Sequence, residues 1–146
     1  MLKLMYITND PEIASIADRA GVDRIFIDLE QYGKEKRQKN WDSVKSKHSI
    51  SDIPKMKTAV RNAQIFVRTD PIFDGFSDEL EGVLACEPDV VMLPYFKTVR
   101  EVETFIKAID GRATTSLLLE TREAAEQIDD CLLYTSPSPR DSTSSR

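Results

Sequence analysis

A truncated (β/α)8 TIM barrel, an α/β fold represented by its first five βα units, is the architecture that three features of the sequence predict. Short β-rich apolar segments alternate with longer segments of helical period, the pattern of parallel strands joined by helical crossovers. No pair of segments carries an antiparallel signal. Five such units fit an open doubly wound sheet as well as a barrel. However, the turn after the first strand, Thr8-Asn9-Asp10-Pro11, contains no glycine and so no phosphate cradle, which disfavours the nucleotide-binding open sheet.

Strands are expected over residues 2–7, 24–29, 64–68, 90–93 and 114–119. For the first helix, Asn9 and Asp10 offer N-caps and Pro11 suits the first turn. Ile13, Ile16, Ala17 and Ala20 line one face, and Gly21 is placed to end the helix. The second crossover, residues 30–63, is long. It carries the charged stretch QYGKEKRQKN, then Trp41 to Ser46, then Ser51-Asp52-Ile53-Pro54 leading a helix through Val60. A long loop in a compact α/β domain is usually functional or disordered. Further helices are expected over 77–85, with Leu80, Val83 and Leu84 inward, and over 98–109, with Val99, Val102, Phe105, Ile106 and Ile109 inward. A last helix begins near Arg122.

Of 146 residues, 31% are charged and 40% apolar, with a mean hydropathy of −0.37, which excludes fibrous, disordered and disulfide-rich classes. No apolar run approaches the roughly 18 residues of a membrane span, and MLKLMYITNDPE lacks the apolar core of a signal peptide. A cytoplasmic protein is therefore expected. The net charge of −5 lacks the basic surplus that neutralises phosphates, so nucleic acid and anionic membrane surfaces are excluded as partners on charge grounds. The two cysteines, Cys86 and Cys131, cannot form a framework and are expected to be reduced.

Composition shifts at Cys131. The segment CLLYTSPSPRDSTSSR is mostly Ser, Pro, Thr and Arg, without period beyond Tyr134, and reads as a disordered tail. Cys131 to Asp141 also resembles the translated read-through of a transposase-type sequencing-library adapter. Residues 1–130 are thus expected to form the partial barrel. Residues 131–146 are expected to be a non-native adapter artefact that packs against nothing.

In both candidate architectures ligands bind at the carboxyl ends of the strands. Strand two ends in Asp28 and Glu30, strand three in Arg68 and Asp70, strand four in Pro94, strand five in Glu120. Carboxylates and an arginine converging on one rim have the chemistry to hold a divalent cation and a carboxylate-bearing substrate. They equally suit mutual pairing across the rim.

Four ordered segments at these positions carry a resemblance. AGVDRIFIDLE (Ala20 to Glu30), IFVRTDP (Ile65 to Pro71), EPDVVMLPYFKTVREVE (Glu87 to Glu103) and SLLLETREAAEQID (Ser116 to Asp129) resemble the HpcH/HpaI aldolase and citrate lyase β-subunit group of the phosphoenolpyruvate/pyruvate barrel superfamily. The resemblance implies a barrel that makes or breaks carbon–carbon bonds beside a 2-oxo acid or acyl thioester. It also implies a Mg²⁺ or Mn²⁺ that holds a small-molecule carboxylate substrate, and a homo-oligomeric full-length protein. It implies Glu120 as a metal ligand, with a second, Asp ligand after strand six. Arg68 is implied as the contact to the oxygen that becomes the enolate, and Asp28 and Glu30 as the acidic pair supporting the metal's water and neighbouring side chains.

Two departures matter. Gln31 and Ala85 stand where the pyruvate aldolases of the group place the His and Asp of the base, and neither takes a proton. Lys34, Lys36 and Arg37 are closer to the basic loop of the citrate-lyase-like branch, with Lys34 and Arg37 candidates for binding an anionic substrate. A solvated surface is the equal alternative. A CoA-thioester lyase of malyl or citramalyl type, and a non-catalytic binding protein on the same scaffold, are the competing readings. His48, the only histidine, is a candidate base by its chemistry, although a loop histidine is more often structural. Trp41 and Tyr32 read as core or interface, and Cys86 as a buried thiol.

Overall fold

The computed structural model describes residues 2–31 and 47–133. Its strands are β1 (Met5–Ile7), β2 (Arg24–Asp28), β3 (Gln64–Arg68), β4 (Val90–Leu93) and β5 (Thr114–Leu117). The helices are α1 (Pro11–Arg19), α2 (Asp52–Ala59), α3 (Phe76–Ala85), α4 (Val99–Ile109), α5 (Arg122–Glu126) and α6 (Ile128–Leu133). All neighbouring strands pair in parallel, in the order β1-β2-β3-β4-β5. The winding never reverses. A doubly wound sheet needs a reversal to put helices on both faces, whereas right-handed crossovers between sequential neighbours put every helix on one face. The chain is an α/β fold with five parallel strands in one sheet, consistent with a truncated TIM barrel.

The two sheet faces differ as this winding requires. Ile25, Ile27, Leu29, Ile65, Val67, Val91 and Leu93 face the helices and are buried with Ile53, Leu80, Val102 and Phe105. At about 2 kcal/mol for each large side chain buried, this layer holds the fold together. The opposite face carries a smaller cluster, Phe26, Phe66, Val90 and Met92, with the Phe26 and Phe66 rings stacked 4.9 Å apart. Strand alternation continues this face into Asp28 and Arg68, which pair in register.

Helix ends follow local chemistry. Asp10 caps α1 by accepting from the Glu12 and Ile13 amides, and Gly21, at φ 91°, provides the left-handed exit. Thr98 and Glu101 form a reciprocal capping box on α4.

Three expectations need correction. The first strand is shorter than residues 2–7, because the Leu4 amide is taken by the Asp23 side chain. Ile13 and Ile16 are 41% and 57% exposed, and α1 buries Ala14, Ala17 and Asp18 instead. The helical period puts these two stripes side by side. The alanine stripe lets α1 pack closely on α2, and Asp18 finds partners there, accepting backbone hydrogen bonds from Arg61, Asn62 and Ala63. Finally, residues 131–133 do not belong to a tail that packs against nothing, because α6 continues through them. The Cys131 amide donates to the Gln127 carbonyl and its side chain is fully buried, while Leu132 and Leu133 are exposed. A small apolar residue in register with the buried face continues the helix despite the change in composition beyond it.

Candidate active site at the carboxyl ends of the strands

Arg68 is the centre of the site. Its Nε and Nη2 donate to the two oxygens of Asp28 at 2.9 and 2.8 Å, a planar two-point pair, and Nη2 also lies 3.4 Å from Glu30 Oε2. The register of β2 and β3 sets the first contact. The second depends on the turn beyond β2, where the Glu30 amide donates to Asp28 Oδ1. Glu30 is 4% exposed. The Asp28 hydrogen bonds, followed by the charges of Asp28, Glu30 and Glu120, hold the Arg68 guanidinium above its ordinary pKa against the opposing effect of burial. The Arg68 side chain is 20% exposed. The guanidinium is thus fixed through Nε and Nη2, with Nη1 left without a hydrogen bond among the described residues.

His48 stands behind this pair. Its Nδ1 accepts the Asp28 backbone N–H at 2.9 Å, and the residue is 5% exposed. An imidazole that accepts through Nδ1 carries its proton on Nε2. The candidate base therefore has that lone pair committed to the backbone of β2.

Asp70 joins the ends of two strands: its Oδ1 accepts from the Gln31 amide at 2.6 Å, and its own amide donates to Glu79 Oε1. Burial pushes the Glu79 carboxyl up, the Asp70 charge adds to this, and the hydrogen bond opposes it. Across the rim, Glu120 Oε1 accepts from the Tyr95 amide at 2.9 Å. Tyr95 has a φ of 49°, a left-handed backbone rare for a residue with a side chain, and Lys97 Nζ sits 5.4 Å from its ring centre.

Among the described residues no group of three or more His, Cys, Asp or Glu is arranged to hold a metal. Glu120 nonetheless has suitable donor chemistry. One oxygen is oriented by Tyr95 and the other makes no hydrogen bond among the described residues, and Mg²⁺ usually binds through one or two carboxylates while keeping water. Among the described residues Glu120 is therefore a single donor of this kind, not a complete ligand set.

Of the residues singled out from sequence, Asp28, Glu30, Arg68 and His48 come together in direct contact, and Glu120 is close enough for its charge to act on Arg68. Lys34, Lys36 and Arg37, with Tyr32 and Trp41, lie outside the described residues. Glu79 and Tyr95 were not anticipated. An acidic residue in the first turn of α3 was the available signal for Glu79, whereas nothing local marks Tyr95 for a left-handed backbone. Both cysteines are free, with Cys86 half-buried rather than fully so.

The sequence model of the HpcH/HpaI aldolase/citrate lyase family matches residues 3–136. The chain belongs to that family. No curated protein sequence matches it. Among solved structures it is similar to an HpcH/HpaI aldolase/citrate lyase family protein from Burkholderia cenocepacia J2315, with a TM-score of 0.68 at 10% identity over 88% of this chain and 58% of the other. The citrate synthase SbnG gives 0.63 at 15% identity over 88% and 56%. A putative fructose-1,6-bisphosphate aldolase from Coccidioides immitis gives 0.56 at 16% identity over 87% and 46%. These likenesses establish the fold. The chain spans less than two thirds of each of these structures. Its HpcH/HpaI membership agrees with the resemblance carried by the four segments, and the match extends past Asp130 through the end of α6.

Proposed function

We propose that the protein is a metal-dependent carbon–carbon lyase acting on a 2-oxo acid or related carboxylate through an enolate. The observation that carries this reading is Arg68, gripped on Nε and Nη2 by Asp28 while Nη1 makes no hydrogen bond among the described residues. When a bond beside a carbonyl breaks, its electron pair moves onto the carbonyl oxygen, and that charge is stabilised by positive groups already in place. Arg68 is held in one orientation and so meets the developing oxyanion without reorganising. Losing such a contact costs roughly 3 kcal/mol of barrier, about a hundredfold in rate. Asp28 and Glu30 fix the guanidinium, and Glu120, oriented by Tyr95, is the residue of this chain for Mg²⁺ or Mn²⁺. Such a cation supplies Lewis-acid stabilisation of the same oxygen. Lys34 and Arg37 are proposed to bind the anionic part of the substrate. Asp28, Glu30 and Glu120 around one arginine leave the rim with a local excess of negative charge, which favours a cation joining the substrate there.

Gln31 at the family's base position favours a second reading, a CoA-thioester lyase whose proton transfers do not depend on that residue. Both readings share the enolate, so one experiment tests them. The complete-barrel protein is incubated in D₂O with Mg²⁺ or Mn²⁺ and either pyruvate or acetyl-CoA, and loss of the methyl proton signal is followed by NMR. Exchange that needs the metal and disappears in Arg68→Ala supports the proposal, and the responsive compound selects the branch. No exchange with either compound overturns it and leaves a binding protein on the barrel scaffold.

A further inference from the structure

We propose that His48 is a positioning residue that stands in for a missing strand carbonyl at the open end of β2 and, through Asp28, sets the orientation of Arg68. β1 ends at Ile7, and the Thr8 amide makes the last ladder bond, to the Phe26 carbonyl at 3.3 Å. The next rung of a parallel ladder draws the Asp28 N–H toward β1, because the Leu29 N–H already points the other way, to the Arg68 carbonyl. His48 Nδ1 takes that rung. The residue is itself anchored on both sides. Asn9 Nδ2 donates to the Lys47 carbonyl at 3.4 Å, and the Ser49 amide donates at 2.8 Å to Asp52, in the first turn of α2. A buried imidazole held in this way pins the Asp28 backbone on the sheet edge that β1 leaves uncovered, and the Asp28 carboxylate in turn grips the guanidinium.

The catalytic consequence rests on the enolate reading of Arg68, but the geometry is testable without it. Asn places its Oδ1 where His places Nδ1, whereas Gln places its amide where His places Nε2. In the complete-barrel protein labelled with ¹⁵N at Arg Nε, the Arg68 Nε–H is expected to be protected from solvent exchange in the wild type and in His48→Asn. In His48→Gln and His48→Ala it is expected to exchange at least about tenfold faster, as loss of a charge-assisted hydrogen bond implies. Equal protection in all variants, or His48→Asn behaving like His48→Gln, overturns the proposal. The wild type provides a check that needs no variant to fold: the imidazole ¹⁵N spectrum should show the Nε2–H tautomer, and an Nδ1–H tautomer is fatal. If the protection pattern holds while neither pyruvate nor acetyl-CoA exchanges, the enolate reading fails alone. If exchange occurs at wild-type rate in His48→Gln, the positioning role fails alone.

Discussion

The Tyr95 amide donates to Glu120 Oε1 at 2.9 Å from a backbone with φ 49°. The left-handed conformation at the end of β4 therefore aims a main-chain donor at the carboxylate that follows β5. Holding a non-glycine residue there costs on the order of 1 kcal/mol, and a β-branched side chain raises that cost. Tyr95→Val is expected to lower stability by about 1–2 kcal/mol and to weaken divalent-metal binding. Tyr95→Gly keeps the donor and removes the strain, so metal affinity should stay near wild type. Urea unfolding and calorimetric metal titration of the complete-barrel protein separate the two.

Glu120 and Arg68 divide metal binding and turnover between them. Glu120→Gln removes the anionic charge while nearly preserving shape, so divalent-metal affinity should fall. Arg68→Lys keeps a cation but loses the planar fork that pairs with Asp28, so metal affinity should remain while turnover drops about a hundredfold. Titrating metal and following a 2-oxo acid or acyl product in both variants checks the assignment. Wild-type behaviour in both shows that it is wrong.

The strands were legible because a parallel sheet buries both its faces and leaves near-continuous apolar runs such as Val90 to Leu93. The Asp28–Arg68 pair was legible for a related reason: polar residues directly after such runs fall on the ligand-binding rim. Contacts that depend on distant backbone were not. Asp18 reads as a surface residue of an amphipathic helix, yet its partners are the amides of Arg61, Asn62 and Ala63. His48 offers a titratable side chain to a sequence reading, whereas its position against the Asp28 amide follows from where β1 happens to end.

Asp18 links stability to pH. Its carboxylate accepts three backbone hydrogen bonds, with that from Arg61 the largest influence, and its pKa lies below the ordinary 3.8 despite the opposing effect of burial. A folded pKa below the unfolded one means that the unfolded chain binds more protons in that window. The stabilisation is then complete well above pH 3.8 and is lost as pH falls through the folded value. Asp18→Asn should cost about 1–3 kcal/mol at pH 7, since it loses the charged acceptor of those bonds. The gap to wild type should begin to narrow as pH falls below about 4. Urea midpoints for both proteins between pH 7 and pH 3 test this, and a gap that stays constant over that whole range contradicts it.

Leu2, Leu4, Met5 and Ile7 are exposed on and before β1, as are Ile13 and Ile16 on α1. The outer edge of β1 pairs with no strand among the described residues. An open parallel edge flanked by apolar side chains is a template for pairing with another chain, and a closed barrel removes it. The 146-residue chain on its own is therefore expected to self-associate as concentration rises, and the complete-barrel protein is not expected to do so through this edge. Ile7→Lys places a charge on the exposed face of β1 and should reduce the association. Light scattering over a concentration series, with a thermal melt of each species, measures both effects. A monodisperse chain with a sharp cooperative melt at every concentration would mean that the five-stranded unit is self-sufficient. The exposed apolar residues of β1 and α1 would then need an explanation other than barrel closure.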